Sequence, residues 1–170
     1  MSWLRVFSAL SLSAFLVACN NNPFIVEITD CPAVAFVKNA NTVTKFADGS
    51  QRVQDVAYTV HLSDLSVDCR DEGEGVRTYI SFQVNAERGP QGEAEAVDIS
   101  YFVTVLREGD QIIGKRVFDS RVNFGPLDQG RTLERISQII PNDVFADQYA
   151  HEVLIGIQLS SQDAAYNVRR

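Results

Sequence analysis

Beyond residue 31, hydrophobic residues recur at every second position over most of the chain. In VRTYISFQVNA, Val76, Thr78, Ile80, Phe82, Val84 and Ala86 alternate with Arg77, Tyr79, Ser81, Gln83 and Asn85. Successive side chains of a strand point to opposite faces, so this pattern predicts a strand with one buried and one wet face. The same period gathers Val97, Ile99, Tyr101, Val103 and Val105 on one face of VDISYFVTVLRE, while Phe102 and Leu106 make its other face partly apolar. HEVLIGIQL turns Val153, Ile155, Ile157 and Leu159 inward. In VAYTVHL, Val56, Tyr58, Val60 and Leu62 share a face; then the phase slips, and Leu65, Val67 and Cys69 share one. A slip of one residue near Ser63 and Asp64 predicts a β-bulge or a turn between two strands.

Breakers punctuate these segments. Asp71-Glu72-Gly73-Glu74-Gly75, Arg88 to Gly92 and Phe124 to Gly130 read as turns. QIIGKRVFDSRVNF reads as the hairpin partner of the strand before it, across Glu108-Gly109-Asp110. TLERISQII is ambiguous. Leu133, Ile136 and Ile139 or Ile140 follow a helical period, but Pro141 and the neighbouring strands favour a strand, and a strand is expected. SSQDAAYNV predicts one or two helical turns, with Ser160 and Asp163 at capping-box spacing. Short strands, regular turns and little helical period predict an all-β sandwich over residues 31–170. The number and order of strands resembles the immunoglobulin or fibronectin type III fold. The resemblance implies an immunoglobulin-like antiparallel β-sandwich of about seven or eight strands with a short C-terminal helical turn. The chain departs from the immunoglobulin pattern in lacking its Cys-Trp-Cys arrangement, since the sole Trp is Trp3.

The first 30 residues follow another rule. The apolar run from Val6 to Ala18 covers 13 residues and carries Ser8, Ser11 and Ser13. Crossing a bilayer takes about 20 apolar residues, so this run is too short to span. Arg5, a short apolar core and small residues before a cleavage point fit a secretory leader over residues 1–18. Leu16-Val17-Ala18-Cys19 resembles the lipobox of bacterial lipoproteins. That resemblance implies cleavage before Cys19, diacylglycerol on its sulfur, a fatty chain such as palmitate on its new amine, and a lipid bilayer as the first partner. One acyl chain holds a protein only reversibly, whereas several make a lasting anchor. Asn20, where inner-membrane lipoproteins tend to carry Asp, implies the periplasmic face of the outer membrane, with the inner membrane as the alternative. On this resemblance, residues 19–30 are expected to be the lipidated cysteine and a tether. As a whole the chain is similar to small lipoproteins of alphaproteobacteria, which implies nothing about mechanism.

Charge narrows the partners. The full chain carries −7, and removing the leader removes Arg5 and no acid, which makes the rest more negative still. Such a surface repels phosphate backbones, and no basic cluster is present to release their counterions, so nucleic acid is excluded as a partner. With Cys19 acylated, Cys31 and Cys69 remain. In an oxidising envelope they are expected to form a disulfide, which by the chain-entropy model stabilises a loop of about 40 residues by roughly 4 kcal/mol. A pair of metal-binding thiols needs further ligands that the sequence does not supply. Cys31 is expected just before the first strand and Cys69 at the end of the second, tying neighbouring elements rather than pinning the two sheets together.

Catalytic signatures are missing. There is no Gly-x-Ser-x-Gly elbow, P-loop or dinucleotide fingerprint. His61 and His151 are the only histidines, and both are expected in strands at the surface or rim. The acidic group Asp68, Asp71, Glu72 and Glu74 could offer oxygens to calcium but lacks EF-hand spacing, so no metal and no cofactor is assigned. Glu108 with Asp110, or Asp143 with Asp147, could be drawn as acid–base pairs, but nothing in the sequence places either in a cleft. Tyr166, Arg169 and Arg170 form an aromatic and basic end on an acidic protein. They suit either closure of the sandwich base or docking to an envelope protein. The expected function is a non-catalytic binding or scaffolding module at the envelope membrane. The alternative is a carrier or sensor of a small or lipidic ligand held between the sheets, and an enzyme ranks last.

Overall fold

The computed structural model describes residues 31–73, 75–107, 110–141 and 151–169. The leader, Cys19 and the tether lie outside the described residues, as do Glu74, Glu108, Gly109, Asp143, Asp147 and Arg170.

Eight strands and one helix follow in order: β1 (Ala33–Phe36), β2 (Thr42–Phe46), β3 (Val56–Asp71), β4 (Gly75–Arg88), β5 (Ala96–Arg107), β6 (Gln111–Asn123), β7 (Gln129–Pro141), β8 (Glu152–Ile157) and α1 (Ser161–Arg169). They form two four-stranded sheets, β1-β8-β5-β6 and β2-β3-β4-β7, so the architecture is the expected all-β sandwich with a short C-terminal helix. The β1–β8 pair is parallel, unlike the other pairs. These two strands come from opposite ends of the domain, so no hairpin dictates their relative direction.

β4 shows most plainly why the chain folds this way. Val76, Ile80, Phe82, Val84 and Ala86, with Thr78, are all buried, and the intervening residues lie on the opposite face. β3 keeps pairing with β4 through the phase slip. Its register shifts between Ser63 and Ser66, so the irregularity is a bulge and not a turn. Asp64 takes the left-handed conformation there, φ 52°, which a short polar side chain tolerates better than most. The ambiguous segment is strand β7, paired with β4 from Gly75↔Pro141 to Glu87↔Gln129. Ile140 is buried, whereas Leu133 and Ile139 are 47% and 46% exposed. The long ladder to β4 outweighs the helical spacing of a few apolar residues.

A run of aromatic rings fills the centre. Phe36 meets Phe82 edge-on at 5.9 Å, Phe82 meets Tyr101 edge-on at 5.2 Å, and Tyr101 stacks on Phe118 at 5.4 Å. Phe82 belongs to one sheet and its two partners, Phe36 and Tyr101, to the other, so the rings couple the two layers. Such pairs add about 0.5–1.5 kcal/mol each beyond area burial.

Two further ties cross between the sheets. Cys31 and Cys69 are bonded, with Cα atoms 5.6 Å apart. Cys31 stands just before β1 in one sheet and Cys69 lies buried in β3 of the other. The bridge therefore joins the sheets, contrary to the expectation that it would tie neighbouring elements. The reason is that β1 pairs with β8 instead of β2, and β2 precedes the strand that carries Cys69. On the opposite side of the sandwich, Glu134 of β7 accepts hydrogen bonds from the Tyr101 hydroxyl at 3.0 Å and the Ser120 hydroxyl at 2.6 Å. Tyr101 and Ser120 are buried in the facing sheet.

His151 corrects the expectation of a surface or rim imidazole. It immediately precedes β8 and is 2% exposed. It shares the inward phase of Val153, Ile155 and Ile157, which continues one step beyond the strand. Its Nε2 is buried with no hydrogen-bond partner among the described residues.

Burial pushes the Tyr101 phenol above its ordinary pKa, and the hydrogen bond and charge of Glu134 add to the rise. A raised phenol contributes stability that is complete below its unfolded pKa of about 10 and is lost as pH rises beyond it. Urea unfolding of the full chain is expected to show stability falling above pH 10, with a smaller fall in Tyr101→Phe. Identical alkaline profiles in the two proteins would contradict this placement. Replacing both Cys31 and Cys69 by Ser is expected to lower the unfolding free energy by roughly 4 kcal/mol. An unchanged urea midpoint would show that the bridge does not hold the sheets.

Candidate functional site

The outer face of the β2-β3-β4-β7 sheet carries the site. On β3, Val60 and Leu62 point inward at 0% and 3% exposure, so His61 between them points outward. On β4, Val84 and Ala86 are buried at 0% and 3%, so Asn85 points outward too. The register then sets His61 opposite Asn85 and Asn85 opposite Arg131 of β7. Imidazole, carboxamide and guanidinium thus form one row across three adjacent strands. Neighbouring strands are about 4.8 Å apart, so the row spans roughly 10 Å.

The segment between β6 and β7 raises a wall beside this row. His61, Asn85, Ala86, Glu87, Asn123, Gly125, Pro126, Leu127, Gln129, Gly130 and Arg131 enclose an open cleft of about 500 Å³. The wall is built by a tight reversal in which the Gly125 amide donates to the Gln129 carbonyl at 2.8 Å and the Asp128 amide to the Gly125 carbonyl at 3.2 Å. Arg88 pins it: its Nη1 donates to Asp128 Oδ1 at 2.9 Å and its guanidinium lies 4.7 Å from the Phe124 ring centre. Gly130 is needed at the base, where a Cβ would collide with the Asn123 carbonyl oxygen and crowd Val122.

The polar groups in the cleft differ in how they are engaged. Asn85 Nδ2 donates to Ser63 Oγ at 2.9 Å, which fixes the carboxamide. Glu87, the cleft's acid, accepts from Gln129 Nε2 at 3.1 Å. Arg131 has no ion-pair partner among the described residues, although Arg52, Arg77, Arg88 and Arg121 each lie against a carboxylate. Leu127 on the wall is 84% exposed. The arrangement combines fixed hydrogen-bonding groups, an uncommitted cation and an apolar rim, the mixture of polar and apolar groups that lines ligand clefts.

The residues marked in the sequence are placed elsewhere. Asp68, Asp71 and Glu72 lie at the β3–β4 hairpin and are occupied locally. Asp68 is 4.0 Å from Arg70, Asp71 Oδ1 accepts from the Gly73 amide at 2.7 Å, and Glu72 is paired with Arg77. The Arg77 hydrogen bonds hold the Glu72 carboxyl below its ordinary pKa. Among the described residues, no three His, Cys, Asp or Glu side chains converge as metal ligands.

Tyr166 and Arg169 ride on α1, which lies against β2. Tyr166 meets Phe46 edge-on at 5.2 Å, and Arg169 Nη2 donates to Gln51 Oε1 at 2.9 Å. Asn167 Nδ2 donates to the carbonyls of Asn39 and Thr42 at 2.8 and 2.7 Å. The helix begins with the expected capping box: the Asp163 amide donates to Ser160 Oγ and the Ser160 amide to Asp163 Oδ2, both at 3.2 Å. Asp163 also pairs with Lys45 of β2 at 2.6 Å. Burial opposes ionisation of Asp163, but Lys45 and Ser160 outweigh it and keep the carboxyl below its ordinary value. The helix thereby covers an edge strand that would otherwise be open to pairing.

Asn85 is legible in the sequence as part of a wet face, but its alignment with His61 and Arg131 is not. The alternation of β4 and the bulge of β3 are local signals, whereas the pairing of β4 with β7 joins segments more than 40 residues apart.

Comparison with protein-family models, curated proteins and solved structures finds no match.

Gly130→Ala is expected to destabilise the domain by about 1–3 kcal/mol, because the added methyl overpacks the crossing from β6 to β7. A urea midpoint equal to that of the unmodified protein would contradict the close approach that shapes the cleft.

Proposed function

We propose that the protein is a cell-envelope lipoprotein whose β-sandwich acts as a non-catalytic binding module. It is held at the periplasmic face of the outer membrane by acyl chains on Cys19. The observation that carries this reading is the Leu16-Val17-Ala18-Cys19 motif after a 13-residue apolar run too short to span a bilayer. The Cys31–Cys69 bridge supports it, since disulfides persist in oxidising compartments. Asn20 supports the outer over the inner membrane. Residues 20–30 reach at most about 36–40 Å when extended, which keeps the domain near its bilayer.

The cleft supports a binding role. Its row supplies donors and acceptors, and His61 is hydrogen-bonded to no hydroxyl or thiol nucleophile among the described residues. The ring stack from Phe36 to Phe118 occupies the centre between the sheets. This favours a ligand on the outer face of a sheet over one held at the sandwich centre.

Cys19→Ala is expected to abolish acylation and move the protein from the membrane fraction to the soluble periplasm. Fractionation with intact-mass analysis checks this. A Cys19→Ala protein that partitions unchanged, or a native product without acyl groups, would overturn the anchor.

A further inference from the structure

We propose that the cleft over His61, Asn85 and Arg131 is a carboxylate-binding site. The inference rests on the reading of the domain as a binding module and is independent of the anchor.

Charge selects an anion. In a chain of net charge −7, acids are abundant, and several arginines lie against one. Among the described residues Arg131 has no such partner, although it lines the same cleft as Glu87 and Gln129. Gln129 engages Glu87 instead, which leaves the guanidinium available to an incoming group.

Geometry selects a small planar anion. A guanidinium presents a flat fork of donors that matches the two oxygens of a carboxylate. Asn85 stands directly opposite Arg131, with one amide hydrogen committed to Ser63 and the other available. His61 adds a further N–H donor on the far side of Asn85. Arg131 is the cleft's one permanent cation and Glu87 its one acid, so the cleft suits at most a single negative charge, held at Arg131. A phosphate dianion calls for more positive charge than the cleft holds.

The wall selects what the carboxylate is attached to. Pro126 and Leu127 line the cleft, and Leu127 is 84% exposed on a rim held by Arg88 and Asp128. A ligand with an anionic head and a short apolar body, such as the C-terminus of an extended peptide or a free aliphatic acid, meets both features.

The test is an NMR titration of the full chain in nonionic detergent, following the Arg131 Nε–H and the Asn85 side-chain amide. The ligands are the tripeptide acetyl-Ala-Ala-Leu with a free carboxylate, the same peptide amidated at its C-terminus, and hexanoate. Saturable shifts are expected with the free-acid peptide and none with the amide. The response to hexanoate separates a free acid from a peptide terminus as the source of the carboxylate. Arg131→Gln is expected to weaken binding at least about tenfold, the usual scale for loss of a charge-assisted hydrogen bond. Arg135→Gln, on the same face of β7 but outside the cleft, is expected to leave the affinity within about twofold. Equal binding of the amidated peptide, no binding of either acid, or equal losses in the two variants overturns the carboxylate site. The wider reading as a binding module is judged separately, by capture of a partner from crosslinked envelopes.

Discussion

The two-residue period of β4, held in register between β3 and β7, is the constraint on which the rest of the structure depends. It sends Ile80, Phe82 and Val84 into the sandwich and Gln83 and Asn85 to the outside. A slip of one residue would exchange the two sets, exposing Phe82 and burying Asn85. Core and cleft are therefore two consequences of one alignment. The inward set brings Phe82 against Phe36 and Tyr101, and the outward set brings Asn85 between His61 and Arg131.

That alignment is reinforced by ties on both sides of the sandwich. The Cys31–Cys69 bridge fastens β3 to the entry of β1, and Glu134 of β7 fastens to Tyr101 and Ser120. The two differ in kind. A disulfide acts chiefly by limiting the unfolded chain, whereas a carboxylate with two hydrogen-bond donors acts in the folded state and would be costly if left alone. The elements that present the cleft, β3 and β7, are also those that carry the ties. Rigid strands position polar groups more closely than a free loop could, and the wall between β6 and β7 is held to that frame by Arg88.

Much of this is visible in the sequence where the signal is local. The alternation of Val76 to Ala86 and the Ser160–Asp163 box each lie within one segment and become the elements they suggest, and the slip at Ser63–Asp64, which suits a bulge or a turn, becomes a bulge. What is not visible depends on pairing between distant segments. β1 joins β8, which turns the disulfide into a bond between sheets. His151 is buried because the inward phase of β8 extends past its first paired residue. Arg131 enters the cleft because β7 lies along β4; that TLERISQII forms a strand is expected from the sequence, but which strand it pairs with is not.

The most direct test is the cross-strand register of Asn85 in solution. In nuclear Overhauser spectra of the isotope-labelled full chain, backbone protons of Asn85 are expected to contact those of both His61 and Arg131. Contacts to Leu62 and Thr132 in their place, with Asn85 protected from solvent, would contradict the alignment and with it both the core and the cleft.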